Sequence, residues 1–439
     1  MSQAALPRGR PRQGAQIAFT ALALVIAVGA YVLAGLGKRG QVPITLALYG
    51  SIFAVGFAAA ALVIRRFAPG ADPALFPTAA VLTGLGFATI FRLSGGLAAE
   101  QATWVAIGLG AFCITLVLVR DHRQLDAYTY TIGLIGIVLL LLPIVPGIGR
   151  TINGARLWVK VGPIGFQPSE IGKVLIVVFL ASYLNQKREL LRVATGGVGR
   201  LRLPPAKHLM PVLLAWGASL AVLFIQRDLG ASLLYFGIFV VMLWVATGRL
   251  AYLLLGLLLF ALGAGFGYAA FDHVQLRVDV WLHALDPAKV FDVGYGQLAQ
   301  AQFGMATGGL VGTGLGQGSP GLIPFAPTDF IFAAIGEELG MLGTVGVLLL
   351  YVVLVGKGLQ AALACPDGFG RLLATGLAAA VALQTFVIVG GVTRVIPLTG
   401  VTLPFVSYGG SSLVSNFVLL ALLVRVSAGP APVRPKGGG

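Results

Sequence analysis

Residues 229–270 read LGASLLYFGIFVVMLWVAT, then GR, then LAYLLLGLLLFALGAGFGYAA, and Arg249 is the one charge in that stretch. A helix needs about 20 apolar residues to cross a ~30 Å hydrocarbon core, and each arm supplies them on either side of a Gly-Arg turn. Neither arm carries the polar stripe of a soluble amphipathic helix, so the pair reads as a transmembrane hairpin. The rest of the chain agrees. Of 439 residues, 57% are hydrophobic and 10% charged, with mean hydropathy +0.93. A soluble domain of this length needs a charged shell that such a composition does not supply.

Twelve apolar segments are predicted, at about 14–37, 44–64, 74–92, 101–119, 125–146, 169–185, 208–225, 229–247, 249–270, 328–356, 371–391 and 404–426. The expected fold class is an all-α polytopic membrane protein. Residues 1–13 are basic, but the run after them is long enough to span and does not resemble a cleaved signal. Net charge is +15, which in a soluble protein would raise nucleic-acid binding. Its placement argues otherwise. With the N-terminus inside, 19 of the 30 basic residues fall in cytoplasmic loops and tails, including Arg65, Arg66, Arg120, Arg123, Lys187, Arg188, Arg200, Arg202 and Lys207. Ten of the 15 acidic residues lie outside or at outer helix ends. That asymmetry predicts a cytoplasmic (inner) membrane protein with both termini cytoplasmic, and it leaves no nucleic acid to explain. Cys113 and Cys365 offer no disulfide framework.

Two outer connections, 147–168 and 271–327, exceed the usual loop length and are rich in aromatic and apolar residues, so they are read as functional rather than disordered. The second holds a glycine-dense stretch, 304–321. No internal repeat is visible, which disfavours inverted-repeat transporters.

Ionisable groups at the ends of spans are costly and are usually kept for a job. In Gln167-Pro168-Ser169-Glu170-Ile171-Gly172-Lys173, Ser169 reads as an N-cap, and Glu170 and Lys173, three apart, can pair. The pair either anchors the helix end or holds Lys173 toward a phosphate, and both can be true. Asp329 opens the tenth segment after Pro327 and Thr328, with Glu337 and Glu338 two turns further in. Thr328 is itself a suitable cap, so the carboxylates are read as functional rather than as dipole partners. Gln226-Arg227-Asp228-Leu229-Gly230 is a polar turn in which Arg227 and Asp228 neutralise one another. The run 316–321 matches G-x-G-x-x-G, but it follows no strand and opens no nucleotide-binding helix. Its glycines are read as letting a loop backbone pack tightly or approach a ligand. His122, His208, His273 and His283 do not fall at ligand spacing. His273 and His283, with Asp272, Asp279 and Asp286, form the set that would hold a divalent cation outside; no bound cofactor is otherwise expected. No Ser-His-Asp or Cys-His nucleophile arrangement is suggested.

Four stretches carry a resemblance. They are 153–158 running on to 166–173, 226–230, 328–340 (TDFIFAAIGEELG) and 404–412 (PFVSYGGSS). Through them the chain resembles the SEDS family of peptidoglycan polymerases, which includes RodA and FtsW, from about Pro77 to Arg425. The resemblance implies a ten-span core over 74–427 with a large extracellular loop at 271–327. It also implies two extra N-terminal helices over 14–73 and a cytoplasmic tail at 428–439. The implied reaction is polymerisation of lipid II into glycan strands, for elongation or division, with undecaprenyl pyrophosphate leaving. The family's catalytic aspartate matches Asp329, and its functionally sensitive tryptophan matches Trp158. Arg156, Glu170, Lys173, Gln226, Asp228, Glu337, Ser407 and Ser411 are the remaining candidate substrate-binding positions. A class B penicillin-binding protein transpeptidase is the implied partner. Arg227, where the family more often has proline, and Tyr295-Gly296-Gln297 depart from the pattern without touching the acidic positions.

The implied chemistry suits the residues. An acceptor sugar hydroxyl needs a base, and a pyrophosphate leaving group needs cations more than an acid. Asp329 would serve as the base, in an inverting displacement with no covalent intermediate. Lys173, Arg156, Arg227 and Arg394 would be the cations. A lipid II flippase, the rival reading, needs polar groups at mid-depth, where this sequence is almost purely apolar. A non-catalytic scaffold for a transpeptidase needs no outer carboxylate.

Overall fold

The structure, a computed structural model, describes residues 10–152, 155–161, 164–192, 217, 218, 221, 226, 228–292 and 294–429. Its helices are α1 (Arg10–Arg39), α2 (Leu46–Phe67), α3 (Leu75–Leu93), α4 (Gly95–Leu118), α5 (Thr129–Leu141), α6 (Pro168–Gln186), the short α7 (Arg188–Arg192), α8 (Leu229–Thr247), α9 (Leu250–Ala270), α10 (Asp272–His283), α11 (Tyr295–Gly308), α12 (Ile331–Ala364), α13 (Gly368–Val392) and α14 (Gly410–Ala428). A 3₁₀ turn, His122–Tyr128, leads into α5. Eleven described segments are long and apolar enough to cross a membrane, and the chain is a multi-pass membrane protein. The seventh predicted span, 208–225, falls almost wholly outside the described residues, as do Asn153, Gly154, His208 and Arg227.

The opening hairpin folds as read, with Gly248 taking the left-handed φ of 70° that closes α8 before α9 begins. Helices α3, α13 and α14 are buried along most of their length, whereas α2, α5 and α9 show most of theirs to the surroundings. Lipid tails are as apolar as leucine, so close approach rather than water exclusion must hold such helices together. At the α1–α3 contact, Gly84 lies so close to Ala27 that a Cβ there would collide.

Two features depart from simple spans. The 147–168 connection folds as a three-stranded antiparallel sheet, the one sheet among the described residues: β1 (Gly149–Ile152), β2 (Ala155–Val161) and β3 (Ile164–Phe166). Register pairs Arg150 with Trp158 and Lys160 with Gly165. The alternation in Arg156-Leu157-Trp158-Val159-Lys160-Val161 accounts for β2.

The second feature is a broken helix. α12 has 34 residues, about 51 Å at 1.5 Å per residue, far more than the membrane core. It is interrupted at Gly340 (φ 67°, ψ −167°). The break removes the helical pairings of Met341 N–H with Glu337 O and of Leu342 N–H with Glu338 O. The glycine-dense loop replaces both. Thr313 N–H donates to Glu337 O (3.0 Å) and Gly314 N–H to Glu338 O (2.9 Å), while Met341 and Leu342 donate to Gly309 O (2.9 Å) and Leu310 O (3.1 Å). Backbone freed inside a membrane protein must be re-satisfied by protein, and this loop does so strand-fashion. Gly312, at φ 85°, would drive a Cβ into the Glu338 carbonyl. The expectation of tight loop packing in 316–321 is met at Gly316, where a Cβ would strike the Gly37–Lys38 backbone, and at Gly318, but not at Gly321, which faces open space.

Candidate active site

Pro168 sits at the first position of α6, so the cap falls on Gln167, whose extended φ/ψ (−104°, 101°) is what a residue before proline adopts. The expected cap, Ser169, is therefore inside the first turn, and its carbonyl instead accepts the Tyr235 hydroxyl at 2.6 Å. Glu170 and Lys173 pair as expected, Nζ to Oε2 at 2.9 Å. Lys173 is only 2% exposed, so it needs more than one partner. It also donates to Gln384 Oε1 at 2.7 Å. Gln384 in turn donates to Thr402 O at 2.8 Å, and Thr402 donates to Ser412 Oγ at 2.7 Å. Ser415 reaches Glu170 at 3.3 Å, and Ser411 Oγ accepts the Gln167 N–H at 2.9 Å. This chain of polar contacts ties α6, α13, α14 and the segment before α14 together. It borders a cavity of about 40 Å³ that Asp228, Tyr235 and Gly400 also line.

Asp228 caps α8, its Oδ1 accepting the Ala231 N–H at 2.9 Å. Burial raises its carboxyl above the ordinary value, against the pull of the Ala231 bond and Arg277. Asp329 lies two residues before α12 and makes no capping bond; the helix starts after Phe330. Thr328 does not cap either, because its hydroxyl donates to Phe325 O at 3.2 Å. Asp329 is partly exposed yet densely surrounded. Burial pushes its carboxyl up to about 6; Arg277 draws it down and Asp228 pushes it further up. A Cβ placed on Gly400 would lie 3.7 Å from Asp329 Oδ2 and 3.8 Å from Arg277 Nη2, so carboxylate and guanidinium are at most about 7.5 Å apart. Arg277 Nη1 donates to Leu398 O at 2.6 Å, which holds the cation in place.

The turn carrying Asp329 is clamped from the 403–408 segment. Ser407 Oγ donates to Thr328 O at 2.6 Å and accepts the Leu403 N–H at 2.9 Å, and Tyr408 N–H donates to Pro327 O at 2.8 Å. Among the described residues, non-glycine positive φ occurs at Phe325, Arg394 and Phe405. Each costs of order 1–3 kcal/mol, and Phe325 and Phe405 lie in the two segments of this clamp.

Several expected site residues sit elsewhere. Glu337 is buried with Oε1 on the Ser319 N–H at 2.6 Å, and Glu338 pairs with Arg92 at 2.9 Å. Both brace the glycine loop in the helix break. Arg394 is not a free cation: its guanidinium caps the end of α10, donating to Trp281 O at 3.1–3.2 Å and Leu282 O at 3.2 Å. Trp158 and Arg156 share the sheet at the entrance to α6, with Arg156 on Val145 O at 3.3 Å. No described hydrogen bond or ion pair links either to Asp329. Gln226 is buried and donates to Leu140 O at 2.5 Å. The expected cation set in the 271–327 loop is not assembled. Asp279 pairs with His283 (2.7 Å), Lys289 (3.1 Å) and Tyr295, while Asp286 caps the Ala288 N–H. Sequence reasoning missed Arg277, Gln384, Tyr235 and Thr402. A lone arginine between Leu276 and Val278 was the one signal available for the first.

A family described as cell cycle protein, which groups FtsW, RodA and SpoVE, matches residues 79–430. The chain belongs to this family. It is 42% identical over 440 residues to the peptidoglycan glycosyltransferase RodA of Mycobacterium tuberculosis, covering 97% of this chain and 93% of that relative. A solved chain from a peptidoglycan synthase complex, studied for the coordination of polymerization and crosslinking, matches with TM-score 0.65 at 30% identity, covering 81% of this chain and 97% of its own. The RodA rod shape determining protein of Thermus thermophilus matches with TM-score 0.56 at 29% identity, covering 81% and 96%.

Proposed function

We propose that this protein is a peptidoglycan glycosyltransferase that polymerises lipid II, with Asp329 as the base that deprotonates the acceptor sugar hydroxyl. The observation that carries this is Asp329 itself, a reachable carboxylate raised to about 6 beside a fixed guanidinium. A base is most effective when its pKa lies near the working pH, and an ordinary aspartate would be too weak. Its relatives' name, peptidoglycan glycosyltransferase, points the same way. Arg277, in place of Arg394, joins Lys173 and Arg156 among the cations available to the departing pyrophosphate. The 40 Å³ cavity beside Lys173 holds only a few waters, so Lys173 acts on charge from behind this wall. Ser407 positions Asp329 through Thr328, and Glu337 holds the loop. Trp158 and Arg156 offer a separate contact for substrate on the sheet.

The placement of basic residues supports a topology with both termini in the cytoplasm and Asp329 at the outer face. In that frame α1 and α2 precede the matched core as an addition. A class B penicillin-binding protein is the proposed partner. Labelling Ser319→Cys in intact cells with an impermeant maleimide tests the topology, and reaction only after permeabilisation contradicts it. Gel analysis of purified protein with lipid II, alone and with its transpeptidase, tests the activity. Absence of glycan polymer under both conditions contradicts it.

A further inference from the structure

At the far end of α12 from Asp329, the 3₁₀ turn before α5 meets the connection between α12 and α13. Three side chains far apart in sequence converge there. His122 Nε2 lies 2.8 Å from Asp367 Oδ2, Cys365 Sγ lies 3.2 Å from the same oxygen, and sulfur and ring nitrogen are 3.9 Å apart. The histidines do not fall at ligand spacing in the sequence, and His122 meets these donors only through the fold. Among the described residues this is the one group of three such donors whose atoms all lie within 4.8 Å. It plays no part in the site at Asp329.

We infer that His122, Cys365 and Asp367 form a zinc site that fastens the α4–α5 turn to the α12–α13 turn. A tetrahedral zinc with bonds of ~2.3 Å to sulfur and ~2.0–2.1 Å to nitrogen and oxygen holds its ligand atoms roughly 3.3–3.6 Å apart. The three separations here bracket that range, so shifts of a few tenths of an ångström admit the ion. The mixed N, S, O donor set is one that zinc accepts.

The surroundings support a ligand rather than a simple polar cap. Asp367 Oδ1 accepts the Gly370 N–H at 2.7 Å, which orients the carboxylate and leaves Oδ2 facing the other two donors. His122 is 1% exposed, and its ring stacks on Phe369 at 6.4 Å and 16°. Its buried Nδ1 has no hydrogen bond, but Asp121 Oδ1 stands 3.6 Å away. A carboxylate behind a histidine is the usual outer support of a zinc ligand. A Cβ on Gly370 would come within 2.6 Å of both Nε2 and Sγ, so glycine there keeps the donors' approach clear. Arg123 Nε is 3.5 Å from Asp367 Oδ2 on a half-exposed side chain, free to swing away and leave the fourth position to water. In the topology proposed above this end is cytoplasmic, where thiols stay reduced.

The test uses the full-length protein, purified without chelators, and the metals alone. Mass spectrometry of the metal content should find about one zinc per chain. Replacement by Co²⁺ should give a thiolate charge-transfer band with tetrahedral d–d absorption. Cys113→Ser should keep that band and Cys365→Ser should lose it. Asp121→Asn should weaken binding roughly ten- to hundredfold. Zinc should raise the melting temperature of the wild type and leave that of Cys365→Ser unchanged. A folded wild type that gives no thiolate band at saturating Co²⁺, or a band that survives Cys365→Ser, overturns the site. Should Cys365→Ser not fold, the wild type and Cys113→Ser decide the matter by the same band.

Discussion

Arg277→Gln probes what holds the basicity of Asp329 in check. The substitution keeps a donor for Leu398 O and removes the charge. Arg277 lowers the Asp329 carboxyl pKa, so its loss must raise it further. With the two groups at most about 7.5 Å apart, Coulomb's law gives roughly 2 kcal/mol at an effective dielectric of 20 and about 0.5 kcal/mol at that of water. At 1.36 kcal/mol per pKa unit, the acid limb of the rate profile should move up from about 6 by roughly half a unit to one and a half. The sign follows from the base: turnover needs the ionised carboxylate, so it is lost as pH falls through the folded pKa. Initial rates of labelled lipid II polymerisation, taken in half-unit steps from about pH 5 to pH 8, would locate the limb. A fall in the plateau above it would report any help Arg277 gives the leaving group. A limb that stays put, or moves down, refutes the claim that Arg277 restrains the basicity that burial gives Asp329.

Lys173→Ala leaves Glu170, 13% exposed, without its cation and should destabilise the fold by up to about 3–5 kcal/mol. The double variant Glu170→Gln, Lys173→Met should regain most of the lost melting temperature while polymerisation stays reduced; recovery of both would make the pair purely an anchor. Gly340→Ala forces a side chain into a φ/ψ region open essentially only to glycine and against the Gly312 N–H. It should cost more than about 3 kcal/mol, read as a much lower melting temperature, and a wild-type melt would mean that the helix break is dispensable.

Much of the architecture was legible because membrane solvation acts locally. A run such as 229–247 must be a span whatever it packs against, and Glu170 and Lys173 meet because three residues on a helix bring side chains together. What stayed hidden depends on distant chain. Arg277 faces Asp329 only because Leu398, 121 residues on, holds its guanidinium. Glu337 and Glu338 looked like carboxylates awaiting a substrate, yet they brace a loop inserted into a break at Gly340 that hydropathy does not register. Ser169 lost the cap to Gln167 because Pro168 fixes the backbone on either side of itself. The 147–168 sheet reads as a loop in the sequence, since three strands of three to seven residues give little periodicity against their turns.

Asp329→Asn tests the central claim most directly, through single-turnover polymerisation of lipid II with binding and melting measured on the same preparation. The variant removes the basicity and keeps the shape. Because the folded state holds this carboxyl at about 6 rather than 3.8, ionising it costs the fold up to about 3 kcal/mol at neutral pH. That cost is absent below about pH 4 and grows as pH rises to about 6. Asparagine is spared it, so the variant should melt no lower than the wild type at pH 7 and still bind lipid II. Its polymerisation should be slower by about 10²–10⁴-fold. A folded Asp329→Asn protein that binds lipid II and polymerises it at near the wild-type rate would contradict the account.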